Sequence, residues 1–205
     1  HVRRVTADDR GFRVDTQAAT YVADNVVVAT GTFGRTPHIP DVADDLDPAI
    51  VQCHSSHYRR PDQLPDGPVL VVGASHSGQD IALELAGRQP VILVGRDCGE
   101  IPVPLESRRM RALFPVLWFI WGTVLDRRTP VGRKGLRHAR FHGGPALRVK
   151  RADLLAAGVE RITERVVGAR DGRPLLSDDR ALDVVAVVWA TGFRQRLDWI
   201  EPGVA

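Results

Sequence analysis

An α/β fold built on a parallel βαβ unit is what this sequence predicts, and three stretches predict it. Val69-Leu-Val-Val72 is an apolar run of strand length, and Gly73 to Gly78 is a glycine-bearing turn. Ile81, Ala82 and Leu85 then recur at helical spacing, and Val91-Ile-Leu-Val94 follows as a second apolar strand. Four consecutive apolar residues suit a strand covered on both faces, which is the condition of strands in parallel sheets. Strand, glycine turn, helix and strand in that order make a Rossmann-like nucleotide-binding unit. Within it Gly73 permits the tight turn, and Gly78 lets the helix pack closely on the strand. A helix N-terminus presents unpaired amides and the positive end of its dipole, so phosphate is the group it attracts.

The residue after the second strand refines the ligand. Arg96 stands where an NAD site usually carries Asp or Glu to bind the ribose 2′-hydroxyl. A guanidinium there forms bidentate, charge-assisted bonds to a 2′-phosphate, so NADPH is expected over NADH. Asp97 is its neighbour. The turn departs from G-x-G-x-x-G in one place, because Ser75 replaces the second glycine, with Ser77 just before the third position at Gly78.

Composition sets the outer bounds. With 205 residues, 43% hydrophobic and 26% charged, the chain has enough apolar content for one or two compact cores. No apolar segment near His1 reads as a secretory signal, and a cytoplasmic location is expected. Cys53 and Cys98 form neither a C-x-x-C pair nor a zinc pattern, so they read as reduced thiols, one buried and one in a loop, and no metal is expected. The net charge is only +3, but residues 127 to 151 hold nine Arg or Lys and no Asp or Glu. That stretch lacks aromatic interleaving beyond Phe141, which argues for a solvated, anion-contacting loop rather than a nucleic-acid interface. Just before it, Leu113 to Leu125 is an apolar run short of the roughly 20 residues that span a bilayer, and Pro115 and Gly122 interrupt it. A buried or lid helix is expected there, ahead of a membrane-facing surface, and the same segment could serve a homodimer.

Along the chain, Phe12-Arg-Val-Asp15 and Thr20-Tyr-Val-Ala23 predict a hairpin, and Asn25-Val-Val-Val-Ala29 a strand ending at Thr30-Gly31-Thr-Phe-Gly34. Residues 35 to 50 form a linker rich in Pro and Asp. Asp171-Gly172 is a turn signal between two short strands, and Val184 to Trp189 is another buried strand ending in Ala190-Thr191-Gly192.

Val28-Ala-Thr-Gly31 and Trp189-Ala-Thr-Gly192 thus flank the nucleotide unit, with His54-Ser55-Ser-His-Tyr58 between them. Together these segments resemble the flavin-containing monooxygenase-like family, which includes relatives of Baeyer-Villiger and N-hydroxylating monooxygenases. In that family an NADPH domain is inserted into an FAD-binding domain, and Ala-Thr-Gly segments mark the crossings. The resemblance implies that residues 1–45 belong to the first half of the FAD domain, 46–190 to the NADPH domain, and 191–205 to the start of the return. It places Thr30, Gly31, Thr191 and Gly192 at the junction, and Gly73, Ser75, Ser77, Gly78 and Arg96 around NADPH. His54, Ser55 and Tyr58 match the end of the family's F-x-G-x-x-x-H-x-x-x-(W/Y) signature, while Pro48 and Ile50 occupy its opening positions. The family's FAD-binding G-x-G-x-x-G would precede the first Ala-Thr-Gly, so the chain is expected to hold the NADPH part nearly whole and the FAD part incompletely.

The activity so implied is hydride transfer from NADPH to FAD, then oxygenation of a small organic substrate, with the cofactor carrying the chemistry and no general acid or base nominated. Two other readings stand beside it. One is a non-catalytic NADPH-binding module. The other is an α/β hydrolase, because Gly73-Ala-Ser75-His-Ser77 has the order of a nucleophile elbow, although Ser77 replaces its last glycine and His76, His138 and His142 are the only later histidines.

Overall fold

A computed structural model describes residues 1–9, 11–31, 36–100, 107–126, 128–135, 148–194 and 196–201. The chain divides into two units: His1–His38 with Gly192–Ala205, and Ile39–Thr191. In chain order the second unit is inserted into the first.

The first unit is a small meander. Strands β1 (Val2–Asp8), β2 (Gly11–Thr16) and β3 (Thr20–Ala23) pair antiparallel in sequence order, and β13 (Ile200–Glu201) joins β1 in parallel. The β2–β3 hairpin falls where the alternating residues predict it. A separate two-residue pair joins β4 (Thr36–Pro37) to β12 (Phe193–Arg194). Asn25 to Ala29 is not a strand. Its apolar residues face solvent, with Val27 88% exposed, and no strand among the described residues pairs with them; β-branched composition does not hold a strand without such a partner. Gly34 lies outside the described residues.

The second unit is a five-stranded, wholly parallel sheet in the order β5 (Val51–His54), β11 (Ala186–Trp189), β6 (Val69–Val72), β7 (Val91–Val94), β8 (Glu160–Ile162). The pleat sends alternate residues to opposite faces. Val69, Val71, Leu93, Ala186 and Val188 enter one core with Ile81, Ala82 and Leu85 of helix α1 (His76–Ala86), the face that the helical spacing predicts. Leu154, from the helix at Arg151–Ala156, completes that side. Leu70, Val94, Val187 and Trp189 enter the other core, against Leu46, Ile50, Leu176 and Leu182. The sheet is covered on both faces, hence the unbroken apolar runs.

The second cover includes the hairpin of β9 (Val166–Arg170) and β10 (Arg173–Leu176). Asp171 and Gly172 both have positive φ, 51° and 73°, as a two-residue turn of the hairpin-favoured mirror type requires. The turn is also tied down, since Asp47 N–H donates to Gly172 O at 2.8 Å.

The apolar segment is a helix, as expected, but not a buried one. Helix α2 (Arg108–Phe119) continues into a π-helical turn at Ile120–Val124, and its apolar residues are exposed rather than buried: Phe114 56%, Trp118 71% and Phe119 65%. Only Met110 of α2 is buried. No helix among the described residues is long and apolar enough to cross a membrane. Much of the basic stretch, residues 136–147, lies outside the described residues, and His138 and His142 with it.

Leu70 lies at the centre of the sheet with its side chain fully buried. Leu70→Ala is expected to cost about 2–5 kcal/mol of stability, read as a lower urea midpoint with an unchanged slope.

Candidate functional site at the carboxyl edge of the parallel sheet

Strand register builds the site. His54, Trp189, Val72, Val94 and Ile162 stand level across the five strands. Just past that row the backbone is stitched by four hydrogen bonds: Ser55 N–H to Trp189 O (2.9 Å), Ala190 N–H to Val72 O (2.8 Å), Gly73 N–H to Val94 O (2.8 Å) and Gly95 N–H to Ile162 O (3.0 Å). The loops that leave this edge carry nearly every site residue expected of this unit. From β6 the chain runs through β7 towards β8 on one side, while β11 and β5 lie on the other. The order therefore reverses between β6 and β11, and open α/β sheets bind ligands at such a switch point.

At the switch point the glycines are forced by sterics. A Cβ on Gly73, whose φ is +109°, would lie 2.3 Å from Ala190 O, and one on Gly78 would lie 1.8 Å from Gly73 O. The start of α1 is thus pressed against the turn, as the sequence predicts. Ser75 occupies the N-cap of α1 but its side chain makes no capping bond. Ser77, in the first turn, is exposed. Gln79 was not legible as a site residue; it is buried and its Nε2 donates to Ala74 O at 3.1 Å, bracing the turn from within the helix.

Arg96 leaves the end of β7 one strand away from this turn, an offset of about 4.8 Å. A Cβ on Gly95 would lie 3.1 Å from Ala74 N and 3.4 Å from Gly73 Cα, so the two loops touch through backbone. Arg96 is exposed, while the Asp97 carboxylate accepts from Gly99 N–H at 2.9 Å and shapes the following turn. Cys98 is half-buried beside them, and burial first, then Asp97, raises its thiol above the usual value. Cys53 is half-buried too, and burial raises it likewise.

His54 is fully buried at the end of β5. Its Nδ1 accepts from Ser56 N–H at 3.1 Å and lies 2.9 Å from Ser56 Oγ. An Nδ1 that accepts a backbone amide carries no proton, which sets the neutral ring as the Nε2–H tautomer. Strand β11 lies between β5 and β6, so His54 and Gly73 are two strand spacings apart, about 10 Å. Ser55 is half-buried and held by its backbone to Trp189. Tyr58 is buried in the α1-side core and its hydroxyl donates to Glu84 on α1 at 3.2 Å. Burial, then Glu84, raises the phenol well above its ordinary value. Tyr58 is thereby an anchor between loop and helix, and it does not join the edge.

The Ala-Thr-Gly segments separate. Thr191 and Gly192 straddle the boundary between the units, but the other crossing falls at His38–Ile39, so Thr30 and Gly31 lie a few residues inside the first unit. Gly31 and Gly192 have positive φ, +89° and +78°, yet a Cβ at either would meet nothing within 4 Å. The hydrolase alternative fails on geometry. Ser75 has an ordinary extended backbone, φ −87° and ψ −176°, where a nucleophile elbow needs a strained turn. Among the described residues no His, Cys, Asp and Glu group could hold a metal ion.

The fold and this edge define an α/β unit with a Rossmann-like parallel sheet and a glycine turn at its switch point. Comparison with known proteins agrees: residues 1–100 match the family described as pyridine nucleotide-disulphide oxidoreductase. An uncharacterized CzcO-like oxidoreductase of Geobacillus kaustophilus (strain HTA426) is 32% identical over 203 residues, covering 95% of this chain and 54% of that protein. The flavin-containing monooxygenase iboF of Amanita muscaria is 45% identical over 69 residues, 31% of this chain and 12% of its own. A flavin-containing monooxygenase structure from Stenotrophomonas maltophilia has the same fold, with a TM-score of 0.62 and 21% identity over 98% of this chain and 52% of that one. The chain is thus similar to CzcO-like oxidoreductases over nearly its whole length and to flavin-containing monooxygenases over part of it. It spans about half the length of the curated relatives it matches over its whole extent.

Two substitutions separate edge from anchor. Gly78→Ala drives a methyl into Gly73 O, and is expected to destabilise the unit by about 1–3 kcal/mol and to abolish nucleotide binding in calorimetric titration. Tyr58→Phe loses one hydrogen bond, worth about 0.5–1.5 kcal/mol in a thermal melt, and leaves nucleotide affinity unchanged.

Proposed function

We propose that this chain binds NADPH at the carboxyl edge of its parallel sheet, within an NADPH-dependent flavoprotein monooxygenase acting on a small organic substrate. The observation that carries the reading is the backbone contact between the Gly73 turn and the Gly95–Arg96 loop. It sets a phosphate-attracting helix N-terminus beside a guanidinium one strand away, the separation between pyrophosphate and ribose in a dinucleotide site. In this site Gly73 and Gly78 admit the pyrophosphate against bare backbone, and the first turn of α1 faces it with amides and the Ser77 hydroxyl. Ser75 narrows the approach by one small side chain. Arg96 holds the 2′-phosphate. The names of the relatives, oxidoreductase and flavin-containing monooxygenase, support the same class of chemistry.

FAD is a different case. Among the described residues nothing lies where a Cβ at Gly31 or Gly192 would reach, so these glycines form no cradle, and the described residues contain a single glycine-rich strand-to-helix turn of this kind. They do not build an FAD pyrophosphate site, and no step through flavin is derived from them. Bound flavin would supply the electron-accepting and oxygen-activating chemistry. The single turn also favours a second reading, a nucleotide-binding module without oxidation chemistry.

Calorimetric titration with NADPH and NADH tests the first reading. The chain is expected to prefer NADPH, and Arg96→Ala to remove charge-assisted bonds worth about 1.5–3 kcal/mol each from NADPH alone. Equal weakening of both nucleotides would overturn the 2′-phosphate role. Visible absorbance after incubation with FAD and removal of free flavin decides between the readings: a retained band bleached by NADPH is a working flavoprotein, and no band leaves the binding module.

A further inference from the structure

Arg161 is the cation at this edge that nothing in the linear sequence connects to the nucleotide. It lies on β8, opposite Leu93 of β7. Its half-buried guanidinium reaches across the strand end: Nη1 donates to Leu93 O at 3.2 Å and to Ile162 O, and Nη2 donates to Gly95 O at 2.6 Å. Every acceptor in that set is a backbone carbonyl, so these bonds satisfy the donors without neutralising the charge. Gly95 is the residue before Arg96. The grip therefore falls on the peptide that carries the 2′-phosphate ligand, and the positive charge is delivered to the same place.

A third side chain, Cys98, lies beside the Arg96 backbone. The thiol of Cys98, whose Sγ is 3.8 Å from Arg96 O, feels both Arg161 and Arg96, each favouring its thiolate. Asp97 and Glu164 are the carboxylates that act on Arg161, Arg151 is a further cation there, and the Asp97 carboxylate is turned onto Gly99 N–H. Arg96, Arg151 and Arg161 against Asp97 and Glu164 leave a positive excess at the end of β7. A phosphate monoester, which approaches two negative charges at neutral pH, suits that excess better than the two neutral hydroxyls of an unphosphorylated ribose.

We infer that Arg161 is a specificity-determining residue for the nucleotide, fixing the Gly95–Arg96 peptide through its carbonyl bonds and adding a second positive charge to the 2′-phosphate subsite. The inference rests on the NADPH reading, and its test uses fragments that isolate the subsite. Binding of 2′,5′-ADP and of 5′-AMP to the 205-residue chain is measured by calorimetry for the wild type, Arg161→Gln and Arg161→Lys. Gln keeps an amide donor for the carbonyls but removes the charge; Lys keeps the charge.

Arg161→Gln is expected to weaken 2′,5′-ADP by roughly tenfold while changing 5′-AMP by less than about twofold, and Arg161→Lys to restore most of the difference. Equal weakening of both ligands, or no change in either, would overturn the assignment while leaving the role of Arg96 intact. A wild type that binds 2′,5′-ADP no better than 5′-AMP would overturn the NADPH reading and this inference together. Should the Gln variant fail to fold, the wild type still decides. The Nε–H resonance of Arg161, identified by its loss in Arg161→Lys, is expected to shift with 2′,5′-ADP and to stay in place with 5′-AMP; a resonance that neither ligand moves refutes the inference.

Discussion

Three backbones meet at one point in this fold, and the absence of two β-carbons is what allows it. Ala190 O fills the place where Gly73 would carry a side chain, and Gly73 O fills the place at Gly78. Strand β11, the turn after β6 and the first turn of α1 are therefore stacked at backbone contact. No other residue types tolerate the two positions, since the clashes are with backbone, which cannot rotate away. The packing of α1 on the sheet, through Ile81, Ala82 and Leu85, follows from this approach. So does the direction in which the α1 N-terminus points.

The same constraint organises the chemistry. The sheet order reverses beside Gly73, which places the switch point of the parallel sheet at this turn. Gly95 extends the close approach one strand further, so the residue before Arg96 touches the turn through backbone. Arg161 and Gln79 add nothing to the recognisable pattern, yet each holds a backbone carbonyl of this edge in place, at Gly95 and Ala74. Buried and half-buried donors spent on carbonyls favour one arrangement of these loops, since unpaired alternatives would leave polar groups stranded.

The parts of this design that lie in short stretches of sequence were legible. The Val69 to Ala86 unit, the Asp171-Gly172 hairpin and the buried strand ending at Trp189 each announce themselves through local periodicity or obligatory glycine. Strand β5 was not anticipated, because Val51-Gln-Cys-His has no alternation; its place comes from pairing with β11, far away in the chain. Asn25 to Ala29 failed in the opposite sense, having strand composition and no partner. Leu113 to Leu125 has the composition of a core helix and lies exposed, because burial depends on what packs against a segment as well as on its residues. Tyr58 carries a family signature but is committed to Glu84.

By itself, then, the sequence determined the glycine turn, its helix and the cation at the end of the next strand. These features depend on residues close together in the chain, where steric rules and periodicity act directly. Only the tertiary structure decided that His54, Trp189, Val72, Val94 and Ile162 form one level row, that Arg161 grips the carbonyl before Arg96, and that the unit crossing lies at His38–Ile39 rather than at the first Ala-Thr-Gly. Register between strands distant in sequence is set by matching two covered faces at once, and that condition exists only after the sheet has assembled.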